Sequence, residues 1–309
     1  MTIPRSLIEA MPKTDLHVHL DGSIRPRTLL ELAREQDVPL PVSSVDELDA
    51  RVFRDRYSDL VEYLRGFSYT VAVMQTAEAL ERIAYEFAWD NFNEGVRYFE
   101  VRFAPQLHVS QRLSMRDVFA SVNAGLVRAK NEFNAREDIV NGAEPPAHYG
   151  IIACAMRAVF PGMSDYYDNF LHVHSFLKRK RVYSLASLEL AYAIAAIRDE
   201  EGIPIVGIDL AGPEDGYPPD DHREAFDYAH SHFFNKSVHA GEAYGPESIF
   251  QAITLLHADR IGHGYYLFAA DKVSDNVADP EKYVASLAGY IAHRRVTIEV
   301  CLTSNVQTN

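Results

Sequence analysis

Seven short runs of apolar and β-branched residues, each parted from the next by at least one segment of helical spacing, narrow the possible folds more than any other feature of this chain. The strand-like runs are Leu16 to Leu20, Val96 to Phe103, Gly150 to Met156, Ile205 to Leu210, Lys236 to His239, Asp259 to His263 and Val296 to Cys301. Helical spacing covers Thr28 to Arg34, Thr76 to Glu94, Arg116 to Glu132, Leu185 to Glu200, Arg223 to Phe233, Glu247 to Leu256 and Glu281 to His293. Pro26 opens the first helix, Gly95 ends the second, and Gly202 with Pro204 leads into the fourth strand. Near-continuous apolar strands alternating with helices predict a parallel sheet, either covered by helices on both faces or closed into a barrel. The closed solution is a (β/α)8 TIM barrel, and seven strands leave it one short, with two open edges and a slot into the core. The count predicts a single barrel domain over residues 1–309, C-terminally incomplete, with its eighth strand beyond Asn309.

Hydrophobic residues make up 47% of the 309 and charged residues 24%, the balance of a globular protein with a packed core. A net charge of −14 repels a phosphate backbone, which argues against nucleic acid and for a small-molecule partner. The opening M-T-I-P-R-S-L-I-E-A-M-P lacks the apolar core of a secretion signal. No stretch approaches the roughly 18 apolar residues of a membrane span. A cytoplasmic protein with no membrane partner is the expectation, and oligomeric state is left open. Cys154 and Cys301 both lie in apolar runs and read as buried thiols rather than a disulfide, a nucleophile or a metal clamp.

Of the thirteen histidines, four fall at the carboxyl ends of predicted strands, where barrel enzymes place their chemistry. His17 and His19 are two apart on the first strand, so their side chains share one face. His239 ends the fifth strand and His263 the sixth. Catalytic zinc takes three protein ligands and keeps a further position for water, and His17, His19 and His239 could form such a set. The same spacing in His172 and His174 is rejected, because residues two apart on a helix point to different faces. His108, His148, His222, His230, His232, His257 and His293 read as surface or partly buried residues. Glu242 follows His239 in V-H-A-G-E, close enough to shuttle a proton beside a metal site or, alternatively, to stabilise a helix N-terminus. Asp21 and Gly22 end the first motif, and Gly212 ends the fourth strand, where its missing side chain lets a ligand approach. Phosphate-loop, nucleophile-elbow and base-deaminase zinc motifs are absent from the sequence.

Five segments in order carry a resemblance: T-D-L-H-V-H-L-D-G-S-I-R-P from Thr14, I-D-L-A-G-P-E from Ile208, V-H-A-G-E-A-Y-G-P-E-S-I from Val238, R-I-G-H-G from Arg260 and E-V-C-L-T-S-N-V-Q-T from Glu299. Over nearly its whole length the chain resembles the bacterial adenosine deaminases of the amidohydrolase superfamily. That resemblance implies one Zn2+ per chain, held by His17, His19 and His239, activating a water that attacks C6 of a purine nucleoside and expels ammonia. It gives Glu242 the protonation of ring N1 and His263 the orientation and deprotonation of the attacking hydroxide. The Gly212 N–H would bond to ring N3 and Asp21 to the ribose 5′-hydroxyl, while Leu64 and Phe67 match the apolar lid. Adenine deaminases carry Glu where L-D-G has Asp21, so the motif leans toward a nucleoside. The family's last motif, S-x-N-T-D-D-P, does not occur, and its first Asp, a further metal ligand, is expected beyond Asn309.

The resulting expectation is zinc-dependent hydrolytic deamination of adenosine or 2′-deoxyadenosine to inosine or 2′-deoxyinosine. Alternatives are deamination of adenine or aminodeoxyfutalosine, an inactive nucleoside-binding barrel, and a barrel hydrolase acting on an amide, lactone or phosphoester. The last group often holds two metals bridged by a carboxylated lysine, and no strand-end lysine is evident apart from Lys236, which precedes its strand.

Overall fold

The computed structural model describes residues 3–308. Its strands are β1 (Lys13–His19), β2 (Val96–Phe103), β3 (His148–Met156), β4 (Ile205–Ala211), β5 (Asn235–Ala240), β6 (Arg260–His263) and β7 (Thr297–Glu299). They form one sheet in sequential order, every neighbouring pair parallel. The expected (β/α)8 barrel is thus present as seven of its eight strands, with helices around it and a slot between β1 and β7.

Burial follows that slot. Strands β2 to β5 are almost wholly buried, as the apolar runs predict for strands covered on both faces. β1, at the open edge, has no fully buried residue. β7 is three residues long where a run to Cys301 was expected, and its ladder to β6 ends at Gly262 opposite Glu299. Val300, Leu302 and Val306 stand exposed beside the gap.

Helix boundaries come from caps the sequence carries. Thr76 caps the helix Ala77–Asn93 through its side chain, and Ser114 with Asp117 forms a reciprocal capping box for Met115–Asn134. The helix expected from Leu185 starts earlier and spans Arg179–Glu201, because its charged first turn carries no apolar periodicity to read. Before Thr76 lie two further helices, Val45–Arg51 and Leu60–Val73; the second carries Leu64 and Phe67 and overhangs the mouth of the barrel.

Two histidines read as surface or partly buried are in fact fully buried. His108 packs beside Phe103, and His222 is held between the Ser187 hydroxyl at 2.7 Å and the Arg157 carbonyl at 3.2 Å. Burial pushes His108 down to about 4; burial and the Arg157 charge push His222 down to about 3. The unfolded chain takes up these protons near pH 6.5 and the native state does not, so stability falls as pH drops below 6.5 toward those values. Each histidine should cost roughly 2 kcal/mol of stability by pH 5. Urea midpoints at pH 7 and pH 5 test this: His108→Leu should lose about that much less than the parent chain, and an unchanged difference would clear His108 of the effect.

Candidate active site

At the carboxyl end of the sheet the strands deliver their polar residues into one cavity of about 1390 Å³. That exceeds the several hundred Å³ usual for a small-molecule pocket because the β1–β7 slot opens into it, with Leu16 and Ile298 on its wall. Every candidate residue named above lines it: His17, His19, Asp21, Leu64, Phe67, Gly212, His239, Glu242 and His263.

Four imidazoles meet there. His17 lies with its ring centroid 4.7 Å from that of His239 and 5.0 Å from that of His263, and His19 lies 5.2 Å from His239. Gly262 makes this approach possible, since a β-carbon there would come within 2.7 Å of the His17 ring. The tightest group, with ligand atoms all within 4.8 Å of one another, is His17, His239 and His263. His19 joins it through its Nε2, 3.1 Å from Nε2 of His239.

Each ring is oriented from behind. His17 donates from Nδ1 to Glu299 Oε2 at 2.7 Å, and His239 Nδ1 lies 2.9 Å from Asp209 Oδ2. A carboxylate only accepts, so His17 carries its proton on Nδ1 and turns an Nε2 lone pair into the cavity, and the Asp209 carboxylate beside Nδ1 of His239 favours the same tautomer there. Burial, then Arg102 for His17 and His239 for His19, hold both rings of β1 well below the usual histidine range. His263 differs. Its backbone is left-handed, φ 67°, a strained state for a non-glycine residue. Its Nδ1 lies 2.7 Å from Asn305 Oδ1 and its Nε2 3.4 Å from Glu242 Oε1. Burial works against its charge, but the Glu242 carboxylate, Cys301 and Asn305 outweigh it and raise His263 to about 9. His17 and His19 are therefore neutral rings and His263 a cation at neutral pH.

Glu242 sits in a turn built for it. The Glu214 carboxylate accepts from the backbone N–H groups of Gly241, Glu242, Ala243 and Tyr244 at 2.7, 3.0, 2.8 and 2.9 Å. Gly241, at φ 68°, takes the left-handed bend that brings these four donors round one anion. Burial disfavours the charge on Glu214, but Arg157 and these donors hold it below the usual carboxylate range. Across the cavity, Asp21 is buried, with Oδ1 lacking any hydrogen-bond partner and 3.8 Å from His19 Nδ1. Burial raises its carboxyl to about 7. Phe67, on the helix Leu60–Val73, meets His19 edge-on at 6.2 Å. Cys154 is buried as expected, whereas Cys301 is only half-buried on the cavity wall.

The adenosine deaminase family model matches residues 12–309, across all of these motifs. The chain belongs to the adenosine deaminase family. Within the amidohydrolase superfamily, it is a hydrolytic deaminase acting on adenosine-like substrates. An adenosine deaminase of Mycobacterium avium is 37% identical over 314 residues, covering 100% of this chain and 76% of the relative. One from Mycobacterium tuberculosis is 38% identical over 303 residues, covering 97% of this chain and 73% of its own. The Arabidopsis ADAL crystal structure complexed with IMP superposes with a TM-score of 0.70 at 25% identity, covering 98% of this chain and 74% of that one. The chain spans about three quarters of the length of these relatives.

Sequence reasoning missed the residues behind the site: Arg102, Asp209, Glu214, Glu299 and Asn305. A signal existed for most of them. A charged residue inside a strand whose neighbours are all apolar must have a buried partner, and Arg102, Asp209 and Glu299 each stand so.

Proposed function

We propose that this deaminase uses one zinc per chain to convert adenosine and 2′-deoxyadenosine, as free nucleosides in the cytoplasm, to inosine and 2′-deoxyinosine with release of ammonia. The observation that carries the reading is the pair of Nε2 atoms of His19 and His239 facing each other at 3.1 Å. Lone pairs so close repel unless a cation or proton lies between them, and two nitrogens on one tetrahedral zinc stand roughly 3.3 Å apart. His17, His19 and His239 supply the nitrogens, while His263, although close, has Nδ1 against Asn305 and Nε2 toward Glu242. When bound, zinc supplies a Lewis acid that brings the pKa of water to about 7. We place the missing eighth strand in the β1–β7 slot, with an aspartate of that strand as the further ligand.

The chain's own residues then divide the work. The proton on His263 first passes to Glu242, whose Oε1 lies 3.4 Å from its Nε2, and the neutral ring then orients the attacking water and takes up its proton. Glu242 delivers that proton to ring N1, so that C6 becomes electrophilic, and the proton taken from the water passes on to the amino group, which leaves as ammonia. The Gly212 N–H, on a left-handed residue at φ 100°, bonds to ring N3. Leu64 and Phe67 cover the base and exclude water. Asp21, whose buried Oδ1 lacks a partner, receives the ribose 5′-hydroxyl, and a free base such as adenine would leave it unmet.

The test is zinc content together with the ultraviolet change as adenosine becomes inosine, for the complete protein and for Asp21→Ala. Leaving the ribose hydroxyl without its buried partner should raise KM for adenosine about tenfold and leave any turnover of adenine unchanged. Equal losses for both would remove the ribose role. Zinc bound without turnover of adenosine would move the assignment to another 6-aminopurine such as aminodeoxyfutalosine.

A further inference from the structure

We propose that Arg102 is the positioning residue of the metal centre, a single guanidinium that clamps together the two carboxylates orienting His17 and His239. Arg102 lies on β2 inside the barrel and is wholly buried. Its Nη1 donates to Asp209 Oδ2 at 2.8 Å and to Ser237 Oγ at 3.2 Å; its Nη2 donates to Glu299 Oε2 at 2.9 Å and to the Leu16 carbonyl at 2.6 Å. Those carboxylate oxygens are the ones that face His239 Nδ1 and His17 Nδ1. Two metal ligands from strands far apart in sequence are thus fixed relative to each other through one planar group.

The fourth contact explains a break in the sheet. The β1–β2 ladder skips between Asp15 and Val18, so Leu16 and His17 lie outside its register. The Leu16 carbonyl gives its lone pair to Arg102 instead, which pins the backbone one residue before His17. Four acceptors around one planar fork suit arginine and not lysine, whose ammonium is a point donor on a flexible stem. Arg260 reaches Glu299 from the opposite side, Nε to Oε1 at 2.7 Å, but makes no contact with Asp209. Among the described residues, Arg102 is the cation that bonds to both.

This inference rests on the zinc site proposed above, and the experiment separates the two. Zinc is loaded into the parent protein and Arg102→Lys, and its release to an excess of a colorimetric chelator is timed, alongside melting of the metal-free and zinc-loaded forms. Loosening two oriented ligands should speed release about 10- to 100-fold. Arg260→Lys, which frees one side of Glu299 alone, should show a smaller increase. If Arg102→Lys does not fold, Ser237→Ala decides: it removes a neutral member of the same clamp, 3.3 Å from Glu299 Oε2, and should quicken release several-fold. Zinc held by the parent and released at the same rate by the folded variants, with both melting curves lowered equally, overturns the role of Arg102 and leaves the zinc site standing. No zinc in the parent overturns both.

Discussion

Glu242→Gln should keep its zinc and lose about 10²- to 10⁴-fold in turnover, the contribution of a positioned proton donor. The backbone of Glu242 is fixed by Glu214 and not by its own carboxyl, so the amide variant keeps the turn and removes only the transferable proton. Its carboxyl contacts His263, which is outside the proposed ligand set, so metal content is expected to stay at one zinc per chain. Metal analysis and initial rates on adenosine check both halves. Near-parental turnover would end the proton-donor assignment, and loss of zinc would make Glu242 a ligand.

Replacing Glu214 by Ala should be harsher on the whole molecule. Four backbone N–H groups lose their common acceptor, and buried Arg157, bonded to the carbonyls of Tyr217 and His239 at 2.7 and 2.5 Å, loses a nearby opposite charge. Leaving a buried donor unsatisfied costs about 1 to 3 kcal/mol. The released turn also carries Glu242, and an ångström of misplacement costs on the order of 100-fold in rate. Urea midpoints and turnover of the folded fraction separate the effects. Lower stability with parental turnover would show that Glu214 supports the fold without positioning Glu242.

The barrel was legible because parallel strands buried on both faces must be apolar throughout, and caps such as Thr76 mark where helices begin. Strand ends were legible too, and with them His17, His19, His239 and His263. What the one-dimensional pattern hides is pairing across the barrel. Val101 and Phe103 beside Arg102 signal a buried partner, but nothing local shows that the partners are Asp209 and Glu299. His108 and His222 were misread because loops are usually wet, whereas these rings are overlaid by neighbouring elements. The short β7 was overestimated for a related reason: propensity extends a strand as far as its apolar residues run, but a ladder ends where partners do.

Each strand of this sheet pairs only with its neighbours in sequence, so almost the entire barrel can be laid down from nearby segments as the chain emerges. Side-chain contacts across the barrel are different: His17 meets Glu299 over 282 residues of sequence, and Arg102 meets Glu299 over 197. An oriented lone pair on His17 exists only after the two ends of the barrel have found each other. Metal capture therefore serves as a clock for the last event of folding, and a zinc-sensitive dye followed during refolding should report ring closure well after helix content has returned.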